Sequence, residues 1–120
     1  MPTSERAAFA AGDVVVVPFP YSDRLAEKRR PALIVSNARL ASFGLVWIAM
    51  ITSAENEPWS CDIPVADIRR AGLPVPSVVR ATKIACIEPA RVLRRAGTLD
   101  RATAREVAKQ IRSFMPSVSA

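Results

Sequence analysis

The spacing of short, β-branched apolar runs narrows the fold more than any other feature. Asp13-Val14-Val15-Val16-Val17-Pro18-Phe19 reads as a first strand. Pro18, Pro20 and the polar Tyr21-Ser22-Asp23 stop it, and a loop runs on to the paired arginines Arg29-Arg30. Pro31 to Ser36 and Leu45 to Ile51 follow as buried strands of nearly continuous apolar character, with one helical turn over Arg39 to Ser42 between them. After the polar loop Thr52 to Pro58, Ser60 to Pro64 alternates, and Gly72 and Pro74 mark a turn. Ser77 to Thr82 alternates again, Lys83 to Glu88 continues or restarts that strand, and Arg91 to Leu93 adds a short piece. Short strands at close intervals with little helix predict a mainly β, α+β domain: a small, strongly curved antiparallel sheet or barrel.

The last element has the helical period instead. Ala104, Val107, Ala108, Ile111 and Met115 make one apolar stripe. Asp100 caps its start, Thr103 with Glu106 offers a capping box one turn in, and Pro116 ends it. Arg101, Arg105, Lys109 and Arg112 fall on the opposite, solvated face.

A chain of 120 residues makes one domain, and its half-apolar composition supports a core. No apolar run reaches membrane-span length, and Met1 to Ala11 has no apolar signal core, so a loose tail and a cytoplasmic location are expected. The net charge of +6 is uneven: residues 67–120 hold eleven basic against four acidic side chains, residues 1–66 six against seven. That asymmetry points to a polyanion or an acidic protein partner, although a merely solvated basic surface fits the charge equally well. Cys61 and Cys86 lack metal-like spacing and are expected as buried reduced thiols.

The chain has no histidine. Ser-His-Asp triads, histidine-based zinc sites and two-histidine ribonuclease sites are therefore excluded. Its eleven carboxylates are scattered, which disfavours a metal-carboxylate nuclease. Arginine, carboxylate and hydroxyl chemistry remains. RNA carries its own nucleophile, the 2′-hydroxyl, which needs a proton acceptor and a stabiliser for the charged phosphorane. Arg30, at the root of a buried strand, can present two parallel hydrogen bonds to phosphate oxygens, and its charge cannot be titrated away. Glu27 is placed to take the proton, or is simply the ion-pair partner of Arg30. Thr52 or Ser53 can orient a phosphate oxygen or the attacking hydroxyl, or only cap the strand end. Lys28 and Arg29 suit electrostatic steering. Trp47 lies in an apolar run and is expected in the core; Trp59, in the polar Glu57-Pro58-Trp59, suits stacking or an interface.

These residues match a known pattern. Gly12 to Asp23 with Lys28-Arg29-Arg30-Pro31-Ala32-Leu33-Ile34-Val35-Ser36 resembles the opening of MazF/PemK-like toxins of type II toxin–antitoxin systems. Val78-Val79-Arg80-Ala81-Thr82-Lys83-Ile84-Ala85, and Leu93-Arg94-Arg95-Ala96-Gly97-Thr98-Leu99 before the final helix, are similar to that family too. The resemblance implies a toxin domain over residues 12–115, between a tail of residues 1–11 and a tail of residues 116–120. It implies an SH3-like small barrel of the MazF/CcdB type with a C-terminal helix, usually a homodimer. The implied activity is sequence-selective cleavage of single-stranded RNA without metal or cofactor, blocked by a cognate antitoxin that lays an acidic, disordered segment across the RNA groove. The family's catalytic arginine falls on Arg30 and its hydroxyl residue on Thr52, with Ser53 adjacent; the loop glutamate of some members would be Glu27. Where some relatives carry an acidic residue or histidine, this chain has Val79 to Lys83, so Arg80 or Lys83 is the phosphate-binding candidate. Two other readings stay open: a gyrase poison of the same fold, although the Trp-Gly-Ile ending of those proteins is absent here, and a catalytically inactive RNA-binding relative.

Overall fold

A computed structural model describes residues 9–18 and 28–117. Six strands and two α-helices follow in the order β1 (Asp13–Pro18), β2 (Arg29–Ile34), α1 (Ala38–Ala41), β3 (Val46–Ser53), β4 (Asp62–Pro64), β5 (Ser77–Ile87), β6 (Arg94–Thr98) and α2 (Arg101–Ser113). A 3-10 turn, Pro89–Arg91, stands where the sequence suggested a strand piece near residue 91. The strands form one antiparallel sheet in the order β4-β5-β3-β2-β1-β6. The expected mainly β domain with a C-terminal helix is present, as an open sheet whose edge strands β4 and β6 do not pair.

Alternation decides which side chains share a face. Val14, Leu33, Ala49, Ile51, Val79 and Ala81 project to one side, where Val107 of α2 and the segment through Val65, Ala71 and Leu73 close over them. Val15, Val17, Ala32, Ile34, Ile48 and Met50 project to the other, joined by Ala85. Both faces of the central strands are therefore buried, which explains their continuous apolar runs. Leu33, Ile34, Ile48 and Ile51 are among the fully buried side chains, each contributing roughly 1.5–3 kcal/mol of transfer free energy.

Two devices shape the sheet. Opposite β3, the register of β5 jumps from Ile84 at Ala49 to Arg80 at Met50, so Ala81 to Lys83 have no counterpart on β3 and form a wide bulge. On the other side, the Asp67–Leu73 segment lies against β6. A Cβ on Gly97 would sit 2.3 Å from the Arg70 carbonyl oxygen, and one on Gly72 would sit 2.1 Å from that of Ala96. Only two glycines permit this backbone approach.

The Gly-Asp opening is structural. Gly12 has φ +95, and Asp13 accepts a hydrogen bond from the Ala10 N–H (2.9 Å) and pairs with Arg95 (3.1 Å), joining β1 to β6. At the far end, the Asp100 side chain caps α2 by accepting the Thr103 N–H (3.0 Å). The Thr103 hydroxyl donates to Asp100 (2.8 Å) and accepts from the Ala66 N–H (3.3 Å), tying the helix start to the core segment. The helix stripe packs as expected through Val107, Ala104 and Ile111, whereas Met115 lies beyond it and is exposed.

Three expectations are corrected. Trp47 is not in the core: it is 41 % exposed, and its directly paired neighbour Cys86 is exposed too. They share a stretch of the sheet beyond the reach of the helix, and alternation alone cannot say what covers a face. Cys61 is also exposed, in a tight turn where its φ is 70.

Candidate functional site

The predicted loop-to-strand junction lies inside the ladder. Arg29 and Arg30 are the first residues of β2, paired with Pro18 and Val17 of β1. Neighbouring strand residues point to opposite faces, so the two arginines diverge. Arg30 shares the face of Val17 and Ala32, and Arg29 is exposed on the other. Between β2 and β3 the pairs run Ile34–Ile48, Leu33–Ala49 and Ala32–Met50. Two residues further in the same register, past the last paired residues, Arg30 comes opposite Thr52. The two candidates thus share one face, about one strand spacing (~5 Å) apart.

Thr52 is buried, paired with Val78, and its Oγ1 accepts a hydrogen bond from the Asn56 side-chain amide at 2.6 Å. The hydroxyl proton is therefore not spent on Asn56 and can be donated elsewhere. Ser53 turns to the opposite face, where its hydroxyl accepts the Glu55 N–H (3.2 Å). The structure thus separates the adjacent pair Thr52 and Ser53 by face. Asn56 was missed in the sequence; its only signal was a side-chain amide four residues after a strand-ending threonine.

Arg30 is half-buried, and among the described residues its guanidinium has no hydrogen-bond or ion-pair partner. Lys28 is exposed just before β2. Glu27 lies outside the described residues.

Further along the same face the pattern reverses. Arg80 pairs with Met50 on one side and Asp62 on the other. It is 6 % exposed, and three of its five N–H donors go to protein: Nε to Asp62 Oδ1 at 3.1 Å, and Nη2 to Asp62 Oδ2 and to the Glu57 carbonyl, both at 3.0 Å. Its guanidinium carbon lies 4.2 Å from the centroid of the Trp59 ring. Burial alone would raise the Asp62 carboxyl, but the Arg80 hydrogen bonds, the Trp59 N–H and the Arg80 charge outweigh it and hold the group below its usual 3.8. Lys83, lifted by the bulge, places its Nζ 5.5 Å from the Trp59 centroid. Trp59 itself is 45 % exposed.

A groove of about 360 Å³ lies elsewhere among the described residues. Val35, Leu40, Phe43 and Trp47 line it, near the opposite end of β3 from Thr52. No helix among the described residues is long and apolar enough to cross a membrane.

The fold has counterparts among solved structures. The MazF-mt6 toxin of Mycobacterium tuberculosis superposes with TM-score 0.66 at 22 % identity, covering 84 % of this chain and 93 % of its own. MazF from Deinococcus radiodurans gives 0.69 at 23 %, covering 88 % and 94 %. An endoribonuclease in complex with its cognate antitoxin, from a mycobacterial species, gives 0.66 at 20 %, covering 89 % and 92 %. None of the curated proteins matches the sequence. At these identities the superpositions speak for the fold, but the sequence pattern of one family matches residues 10–115, from the Gly-Asp opening to the end of α2. The chain belongs to the PemK-like, MazF-like toxins of type II toxin–antitoxin systems.

Proposed function

We propose that the chain is the toxin component of such a pair and acts as a metal-independent, sequence-selective endoribonuclease on single-stranded RNA. The observation that carries the reading is the register placing an arginine without a described partner, Arg30, opposite Thr52 on one face. Family membership supports it, as does likeness to a solved endoribonuclease.

The chemistry follows from the groups present. The 2′-oxygen attacks the adjacent phosphorus while its proton passes to Glu27. The Arg30 guanidinium holds two non-bridging oxygens as negative charge builds on them, and Thr52, with its acceptor side occupied by Asn56, donates its hydroxyl proton to one of them as a hydrogen bond. The bond from phosphorus to the 5′-oxygen breaks, and that oxygen takes a proton from solvent. The products are a 2′,3′-cyclic phosphate and a 5′-hydroxyl. Lys28 and Arg29 raise the local concentration of RNA through its phosphates, whereas Ser53, on the opposite face from Thr52, has no part in the step. The chain works as a homodimer in the cytoplasm and is inhibited by a cognate antitoxin whose acidic segment competes for the same cationic groups.

The test is end-group analysis of RNA treated with the purified protein in EDTA. Cyclic-phosphate and 5′-hydroxyl ends are expected at an undiminished rate. Loss of cleavage on chelation, or 5′-phosphate ends, would contradict the reading. Inhibition of purified gyrase without RNA cleavage would favour the gyrase-poison alternative.

A further inference from the structure

We propose that Trp59 is a stacking platform for a nucleobase of the bound RNA, and that Arg80 is its positioning residue rather than a phosphate ligand. The proposal rests on the ribonuclease reading above and adds to it a base-contacting residue and the support behind it.

The segment after Thr52 is tied down at successive points. The Asn56 amide holds the Thr52 hydroxyl, the Glu57 carbonyl accepts from Arg80, and the Trp59 ring lies over the same guanidinium. The Trp59 backbone N–H donates to Asp62 Oδ2 (2.9 Å), and the Asp62 backbone N–H returns a bond to the Trp59 carbonyl (3.2 Å). Asp62 in turn holds Arg80 through both carboxylate oxygens. A two-pronged pair fixes the plane of a guanidinium, and a fixed plane under an indole fixes the indole. The result is an aromatic ring that is rigid and still nearly half exposed.

Its location suits a base. Arg80 lies diagonally across from Thr52, through the Thr52–Val78 and Met50–Arg80 pairs. Arg80, against which the ring lies, is therefore two strand spacings across and two residues along from Arg30, about 12 Å between backbones, close enough for one strand of RNA to reach both. Every base has a π face, so an exposed indole braced from behind by a guanidinium can take any of them. A protein anchor would sit among apolar neighbours. Here the flanking residues are Glu57, Pro58, Ser60, Cys61 and Asp62, all but the half-buried Asp62 exposed.

The full chain holds only two tryptophans, so Trp47→Phe leaves Trp59 as the sole indole reporter. The probe is a mixed-sequence pool of short 2′-O-methyl RNA, which cannot cleave itself, beside an abasic backbone of equal length. Base-containing RNA should change the Trp59 emission and the abasic strand should not. Trp59→Ala should weaken binding of the pool by about tenfold or more and leave abasic binding unchanged, while Trp59→Phe retains most of it. On natural RNA the same variant should raise KM with kcat little altered. Arg80→Lys should reproduce the Trp59→Ala loss, and the double variant should be no worse than either. If Arg80→Lys does not fold, the exposed Trp59 variants still decide. Equal loss on both probes, or none, would overturn the stacking platform. Base-dependent binding without cleavage of natural RNA would instead overturn the nuclease reading alone.

Discussion

Arg30 and Arg80 occupy the same face of one sheet and have opposite surroundings. Arg80 is buried between β3 and β4, its Nε and Nη2 held by Asp62 and the Glu57 carbonyl, its plane covered by Trp59. Arg30, at the start of β2, keeps a half-exposed guanidinium with no partner among the described residues. An arginine whose donors are satisfied by protein braces the structure. One whose fork is held at a strand root and left open is available to a phosphate.

The comparison breaks if Arg80 proves dispensable. Arg80→Met leaves the Asp62 carboxylate covered and without its cation, and the expected cost is about 3–5 kcal/mol of folding stability by chemical denaturation. A loss no larger than that of a surface substitution would mean that Arg80 is free to serve a ligand. A smaller effect probes the backbone device behind β6. Gly97→Ala drives a methyl into the Arg70 carbonyl and should cost about 1–3 kcal/mol without altering the site on the other side of the sheet. Asp100→Ala removes the α2 cap and should cost about 1 kcal/mol.

The acid dependence of the Arg80–Asp62 ion pair is read from Asp62. Its folded-state pKa is lowered, so its contribution is complete above the unfolded value near 3.8 and is lost as pH falls through the folded value. The stability gap between wild type and Asp62→Asn should therefore narrow as melts are taken from neutral pH to below about pH 4. A gap that stays constant would show that the carboxylate's charge is not what holds Arg80.

Much of this was legible in the chain. The strand runs, the final helix with its Asp100 cap, and the family likeness of the Gly-Asp opening and the Arg-Pro-Ala strand all follow from local pattern. β6 was not read as a strand, because Arg94 and Arg95 mask the alternation on an edge whose outer side is covered by a distant segment. The bulge at Ala81 to Lys83 was equally hidden, since register belongs to pairs of strands and not to either one. For the same reason the sequence could bring Arg80 forward as a phosphate ligand without showing that Asp62, eighteen residues earlier, sits directly across from it. Trp47 and Cys86 failed as core residues because their face runs past the end of the helix that covers the rest.

Single-turnover cleavage of one RNA by wild type and Arg30→Ala, with binding and melting measured on the same samples, tests the division between the two arginines most directly. The expected result is a fall in rate of about 10²–10³-fold with melting unchanged and binding weakened far less. Cleavage by Arg30→Ala at the wild-type rate would contradict the account.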